Sequence, residues 1–157
     1  MSDPVTYHHL GPADMSLLLR VPEGVFDNPI DPIQAAAFLG DPRHEMVLAL
    51  VNGSPVGMGS AVIMLHPDKP PAGFINEVGV LESHRRQGIA SALCAALFTR
   101  VVSIAAPPEA MATEHDNIAA RALYMHLKGR ETTEIVVYDW DGAMDAEAGS
   151  GTGKTTS

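Results

Sequence analysis

Between Phe74 and Leu93 the chain changes its periodicity within a few residues, and few architectures accommodate that change. Residues 74–80 read as a buried strand, and a polar turn containing Arg85, Arg86, Gln87 and Gly88 follows. Beyond it Ile89, Leu93, Leu97, Val101 and Ile104 recur every three or four residues, the spacing of one apolar helical face. Pro107 and Pro108 stop that helix. A strand feeding a glycine-containing basic turn that opens a helix builds an anion site. The first helical turn leaves N–H groups without intrahelical acceptors, the helix dipole is positive there, and two arginines stand beside it. Phosphate suits that chemistry.

The flanking segments read as α/β. Val5, Tyr7 and His9 alternate in a first strand over residues 5–10, and residues 12–19 read as a helix with Pro12 near its start. Asp31 and Pro32 cap a second helix over 33–39. The loop between these helices carries Glu23, Asp27 and Asp31, with Phe26 adding apolar surface, and is a candidate contact for a cationic acceptor. Strands over 45–51 and 55–65 flank Asn52-Gly53, a pair that accepts the positive φ of a tight hairpin. Gly57 and Gly59 mark a bulge or a close backbone approach in the second of them. A short strand over 110–113, a helix capped by Asp116 or Asn117 and ending at Gly129, and a last strand over 133–140 complete the pattern.

A chain of 157 residues suggests a single domain, here residues 1–141, before a tail over 142–157 rich in Gly, Ala, Ser and Thr that is expected to be disordered. Within the tail, residues 148–155 match a loose Walker A pattern but have no strand before them, so no nucleotide triphosphate site is expected. Ten basic against 19 acidic residues give a net charge of −9, which opposes nucleic acid and anionic membrane and attracts a cation. The single Cys94 excludes an internal disulfide and reads as a packing residue. With no leader and no membrane-length apolar run, a cytoplasmic protein is expected. The histidines His44, His66, His84, His115 and His126 are scattered, and no metal is expected.

Arg85-x-x-Gly88-x-Ala90 after a strand resembles the acyl-CoA motif of the GCN5-related N-acetyltransferases (GNAT), and Asn117-x-x-Ala120-x-x-x-Tyr124 resembles their second motif. The resemblance implies an α/β fold with a mixed, twisted sheet of about six or seven strands flanked by helices on both faces. It implies acetyl-CoA as cofactor, wedged at the splayed centre of the sheet. Val78, Gly79 and Val80 would serve it by backbone, Arg85, Arg86, Gln87, Gly88, Ile89, Ala90 and Ser91 around the pyrophosphate, and Asn117, Ala120 and Tyr124 along the pantetheine. Positions 117, 120 and 124 do share one helical face.

Direct transfer to an amine needs a base and an acid. Glu77, which the resemblance places at the splayed centre, is the candidate base, and Tyr124, which the resemblance places near the thioester sulfur, is the candidate acid; Phe26, Asp27, Glu77, Asp139 and Asp141 are the candidate contacts for the acceptor. Asn76-Glu-Val-Gly-Val, His84-Arg-Arg-Gln-Gly-Ile-Ala90 and Tyr138-Asp-Trp-Asp141 are similar to the branch containing aminoglycoside 3-N-acetyltransferases. There the acceptor is a small cationic amine, and a homodimer stays open. Lys128, where a Gly is common, Arg130, near a common Phe, and Glu77, where an Asp is common, depart from that branch. A protein or peptide N-acetyltransferase and a non-catalytic acyl-CoA sensor are the alternatives.

Overall fold

The computed structural model describes residues 3–104, 108–110, 115–136 and 138. Asn52 and Gly53 adopt φ of 50° and 75° and close a hairpin between β2 (His44–Val51) and β3 (Ser54–Met64). Strand β1 (Val5–His9) pairs antiparallel with β2, and β4 (Ala72–Val80) pairs antiparallel with β3. A short β5 (Pro108–Ala110) lies parallel to β4, with Gly73 opposite Pro108 and Phe74 opposite Ala110. The described residues thus form a mixed sheet of five strands in the order β1-β2-β3-β4-β5; the six or seven strands expected draw also on residues outside the described ones.

In β2, Val47, Leu48 and Ala49 are all fully buried, so both faces of the sheet are covered. Helix α3 (Ile89–Ile104) covers one face, packing Leu93, Leu97 and Val101 against Val47, Ala49 and Ile63. Each of those three fully buried side chains contributes about 1.5–3 kcal/mol. The other face takes α1 (Met15–Leu18), α2 (Pro32–Gly40) and the loop between them, through Leu18, Val25 and Ala35 on Met46, Leu48 and Met58. Asp31 caps α2 by accepting the Ile33 and Gln34 N–H groups at 2.7 and 3.4 Å.

Glycines let α3 lie close to the sheet. A Cβ at Gly59 would stand 2.8 Å from Leu97 Cδ1, and one at Gly73 would overlap Val101 Cγ1. An ion pair between buried Glu45 on β2 and Arg100 on α3, at 3.1 Å, ties the same two layers.

Several boundaries differ from the sequence reading. Helix α1 starts at Met15 because Asp14 and Gly11 bond to each other in a turn, the Gly11 N–H to Asp14 Oδ2 at 2.7 Å. Ile104 is 42% exposed at the end of α3 instead of completing its apolar face. Of the strand expected over 110–113, only residue 110 is described, at the end of β5; the rest lies outside the described residues. Helix α4 (Ile118–His126) ends earlier than expected, with Gly129 and Lys128 N–H groups donating to the Tyr124 and Met125 carbonyls at 2.9 and 3.0 Å. Lys128 takes φ 67° there, the left-handed position that suits glycine.

No strand forms over 133–136. Glu134 turns to φ 63°, which breaks an extended backbone, and Ile135, Val136 and Tyr138 are exposed. Residues 137, 139 and 140 of that expected strand, and the tail from 142, lie outside the described residues.

The fit of α3 on the sheet is tested at Gly73. Gly73→Ala should destabilise the protein by about 1–3 kcal/mol in urea unfolding, and by less when Val101→Ala removes the obstructing methyl. An equal loss in both backgrounds would contradict this packing.

Candidate active site

The register between β3 and β4 slips once. Ser60 stands opposite Glu77 and Ala61 opposite Ile75, so Asn76 is an extra residue, a β-bulge. Side chains alternate along a strand, and an extra residue reverses that alternation. Before the slip, Gly73 and Ile75 face α3. After it, Val78 and Val80 take the α3 side, while Gly79 faces the other side, toward Met58 and the Val25 carbonyl. Glu77 shares the side of Gly79. Without the bulge its carboxylate would be directed at the apolar packing of α3.

Glu77 is half-buried, and its carboxyl pKa is raised, first by burial and then by the negative charge of Asp27. A carboxylate made more basic in this way suits proton abstraction. Asp27 is exposed on the loop joining α1 to α2. Its neighbour Phe26 is partly buried against the Leu18 and Met58 cluster, so only part of the expected apolar contact surface remains open. A cleft of about 390 Å³ follows this loop past Phe26, Asp27 and Ile30. Another, of about 620 Å³, lies between the loop and the end of β4, lined by Glu23, Gly24, Leu81, Glu82, Ser83 and Arg85.

After a single 3-10 turn (Glu82–His84), Arg86 and Gly88 adopt φ of 60° and 78°. The Gly88 carbonyl accepts the Ala92 N–H at 3.0 Å and so begins α3, leaving the N–H groups of Ile89, Ala90 and Ser91 without intrahelical acceptors. Left-handed residues in such a turn gather N–H groups into a concavity that attracts anions. The turn is exposed from Arg85 to Gly88, and a Cβ at Gly88 would meet nothing within 4 Å. Arg85 departs from expectation: its Nε donates to the Val80 carbonyl at 3.1 Å, tying the turn to β4. Of the two arginines expected to converge on an anion, Arg85 thus has part of its guanidinium committed to the backbone.

Tyr124 on α4 is half-buried, and burial, then Cys94 of α3, raises its pKa. The phenol therefore holds its proton at neutral pH. Cys94 is buried, with its thiol pushed up to about 11 by desolvation, which suits a packing residue and no nucleophile. Asn117 Oδ1 accepts the Ala120 N–H at 3.1 Å and caps α4, so this oxygen serves the helix. Asp139 and Asp141 lie outside the described residues.

Among the described residues, β4 pairs with β5 only at Gly73 and Phe74, so from Ile75 to Val80 that edge has no strand partner. The backbone of Val78, Gly79 and Val80 belongs to that stretch. No group of three metal-ligating side chains occurs among the described residues, nor is any of their helices long and apolar enough to cross a membrane. The sequence reading missed the bulge at Asn76, Ser60 opposite Glu77, and Glu82 lining the same cleft as Glu23. The bulge has a sequence signal, because the small or apolar residues facing α3 fall at 73 and 75 and then at 78 and 80.

Comparison with known proteins accords with this geometry. No curated protein matches the sequence. The structure of aminoglycoside N-acetyltransferase AAC(6')-Iy in complex with CoA is similar, with a TM-score of 0.71 and 18% identity over 88% of this chain and 96% of that one. Ribosomal-protein-alanine N-acetyltransferase from Brucella melitensis biovar Abortus 2308 aligns with a TM-score of 0.66 and 21% identity, over 87% and 98% of the two chains. An aminoglycoside acetyltransferase from an uncultured soil metagenomic sample, in complex with sisomicin, aligns with a TM-score of 0.64 and 20% identity, over 86% and 93%. At these identities the likeness establishes the fold, and none of the three names the 3-N position. Residues 14–129, well over half of the chain, match the model of the acetyltransferase (GNAT) family, and the chain belongs to that family.

Proposed function

We propose that this chain is an acetyl-CoA-dependent N-acetyltransferase that acts on a primary amine of a small cationic acceptor, with aminoglycosides as the named class. The observation that carries this reading is one juxtaposition. A basic carboxylate at Glu77 and an open, donor-rich turn from Arg86 to Ser91 flank the stretch of β4 from Ile75 to Val80, whose outer edge has no strand partner among the described residues. The turn fits a pyrophosphate because it offers backbone N–H donors, the positive end of α3 and free space at Gly88.

Acetyl-CoA would supply an acetyl thioester. The N–H groups of Ile89, Ala90 and Ser91 would hold phosphate oxygens, with Arg86 and Gln87 at the rim. Backbone N–H groups near Val78 and Val80 would hold the pantetheine and polarise the thioester carbonyl. Ala120 gives room along that arm, with Asn117 fixing the start of its helix. Glu77 would remove one proton from the acceptor ammonium, directly or through water, and so free the amine for attack on the thioester. The Tyr124 phenol would give its proton to the thiolate leaving group, and the proton shed by the nitrogen as the amide forms would restore the phenol. Asp27, and Asp139 and Asp141 beyond the described residues, would pair with other ammonium groups of the acceptor.

The net charge of −9 favours a cationic acceptor, and two of the similar structures are of aminoglycoside acetyltransferases. The likeness to a ribosomal-protein-alanine N-acetyltransferase favours a second reading, an amine on a protein N-terminus.

Thiol release from acetyl-CoA with aminoglycosides, polyamines and short peptides, beside calorimetric titration with CoA, decides among these. Release should require a small cationic amine; release with peptides alone would favour the second reading. CoA binding without release would favour an acyl-CoA sensor, and absent binding would overturn the assignment.

Two sets of substitutions test the roles. Glu77→Gln should lower kcat about a hundredfold, and Tyr124→Phe about tenfold, with CoA affinity little changed. Unchanged turnover in either would remove that residue from proton transfer. Gly88→Val should weaken CoA binding at least about tenfold, because a β-branched residue is strained at positive φ; unaltered affinity would refute the phosphate placement.

A further inference from the structure

The contact between the α1–α2 loop and β4 depends on one missing side chain. A Cβ on Gly79 would overlap the carbonyl oxygen of Val25 and stand 3.2 Å from its carbonyl carbon. The obstacle is backbone, so no rotamer change relieves it; the loop itself must retreat by about 1 Å to reach ordinary C···O contact. Val25 is held in place by its own side chain, buried with Leu18, Leu48 and Met58. Two residues further along this loop is Asp27, and two residues before Gly79 on β4 is Glu77, on the same side of the sheet.

We infer that Gly79 is a positioning residue for the acceptor side of the reaction: its bare backbone seats the loop so that Asp27 and Glu77 form one two-carboxylate site for the ammonium groups of a polyamine. This rests on the function proposed above and shifts Gly79 from the cofactor to the acceptor. The raised basicity of Glu77, to which Asp27 contributes, agrees with the seating. On β3 the residue opposite Glu77 is Ser60, and its neighbours on β4 are Asn76 and Val78, all uncharged. After burial itself, the negative charge of Asp27 raises the Glu77 carboxyl. Two carboxylates seated in this way favour an acceptor with two amines over a monoamine, because one ammonium can neutralise Asp27 while the other gives its proton to Glu77.

Carbon-detected NMR titration of the Glu77 carboxyl, assigned with Glu77→Gln, tests the seating without turnover. Asp27→Asn and Gly79→Ala should each lower the Glu77 pKa, since both remove a like charge from beside it. In steady-state kinetics Gly79→Ala should raise KM for a diamine about tenfold and leave KM for acetyl-CoA within about twofold. A folded Gly79→Ala protein with unaltered Glu77 titration overturns the inference, as does one in which both KM values rise together. Should Gly79→Ala fail to fold, Val25→Ala loosens the loop from its other side and should shift the titration in the same direction; a folded Val25→Ala protein without that shift also overturns it. An unaltered protein that transfers no acetyl group to any amine would refute the function and leave the titration result standing.

Discussion

Everything at the centre of this molecule depends on one extra residue in β4. The sheet is packed on both faces, and an acidic side chain in a strand so enclosed is costly unless it escapes the apolar layer. Asn76 supplies the escape. By doubling against β3 it leaves Ile75 in the packing of α3 and turns Glu77 to the side of the acidic loop. The same strand then returns Val78 and Val80 to the core, so the bulge re-aims one carboxylate without dissolving the sheet.

The turn that opens α3 is held by the same layer. Helix α3 lies flat because Gly59 and Gly73 leave space for Leu97 and Val101, and its N-terminus is thereby fixed at the end of β4. Arg85 joins turn to strand through the Val80 carbonyl. Carboxylate, strand edge and N–H donors are positioned by packing and backbone bonds, which leaves the side chains around them free for chemistry. Preorganisation of this kind would put the carboxylate proposed as the base in place before a substrate arrives.

Much of the fold was legible because its signals are local. Asn52-Gly53 demanded a hairpin, Asp31-Pro32 a capped helix, and the spacing from Ile89 to Val101 an amphipathic helix; all three are present. Alternation misled at residues 133–136, where apolar side chains stay exposed and Glu134 breaks the extended backbone. In the candidate site, the turn was legible as a motif, whereas the commitment of Arg85 to a carbonyl was not, since it depends on where β4 ends. The meeting of Val25 with Gly79 joins segments more than fifty residues apart, and no local pattern announces such a contact. The parity slip at Asn76 lay in plain view and was readable only by asking which face each residue of β4 takes.

The most direct test of this account is the set of nuclear Overhauser effects from the Glu77 side chain. The bulge predicts cross-peaks to the loop that carries Val25 and Asp27, and none to the methyl groups of Leu93 and Leu97. Cross-peaks to those leucines would place Glu77 on the α3 side and contradict the arrangement from which the chemistry is derived.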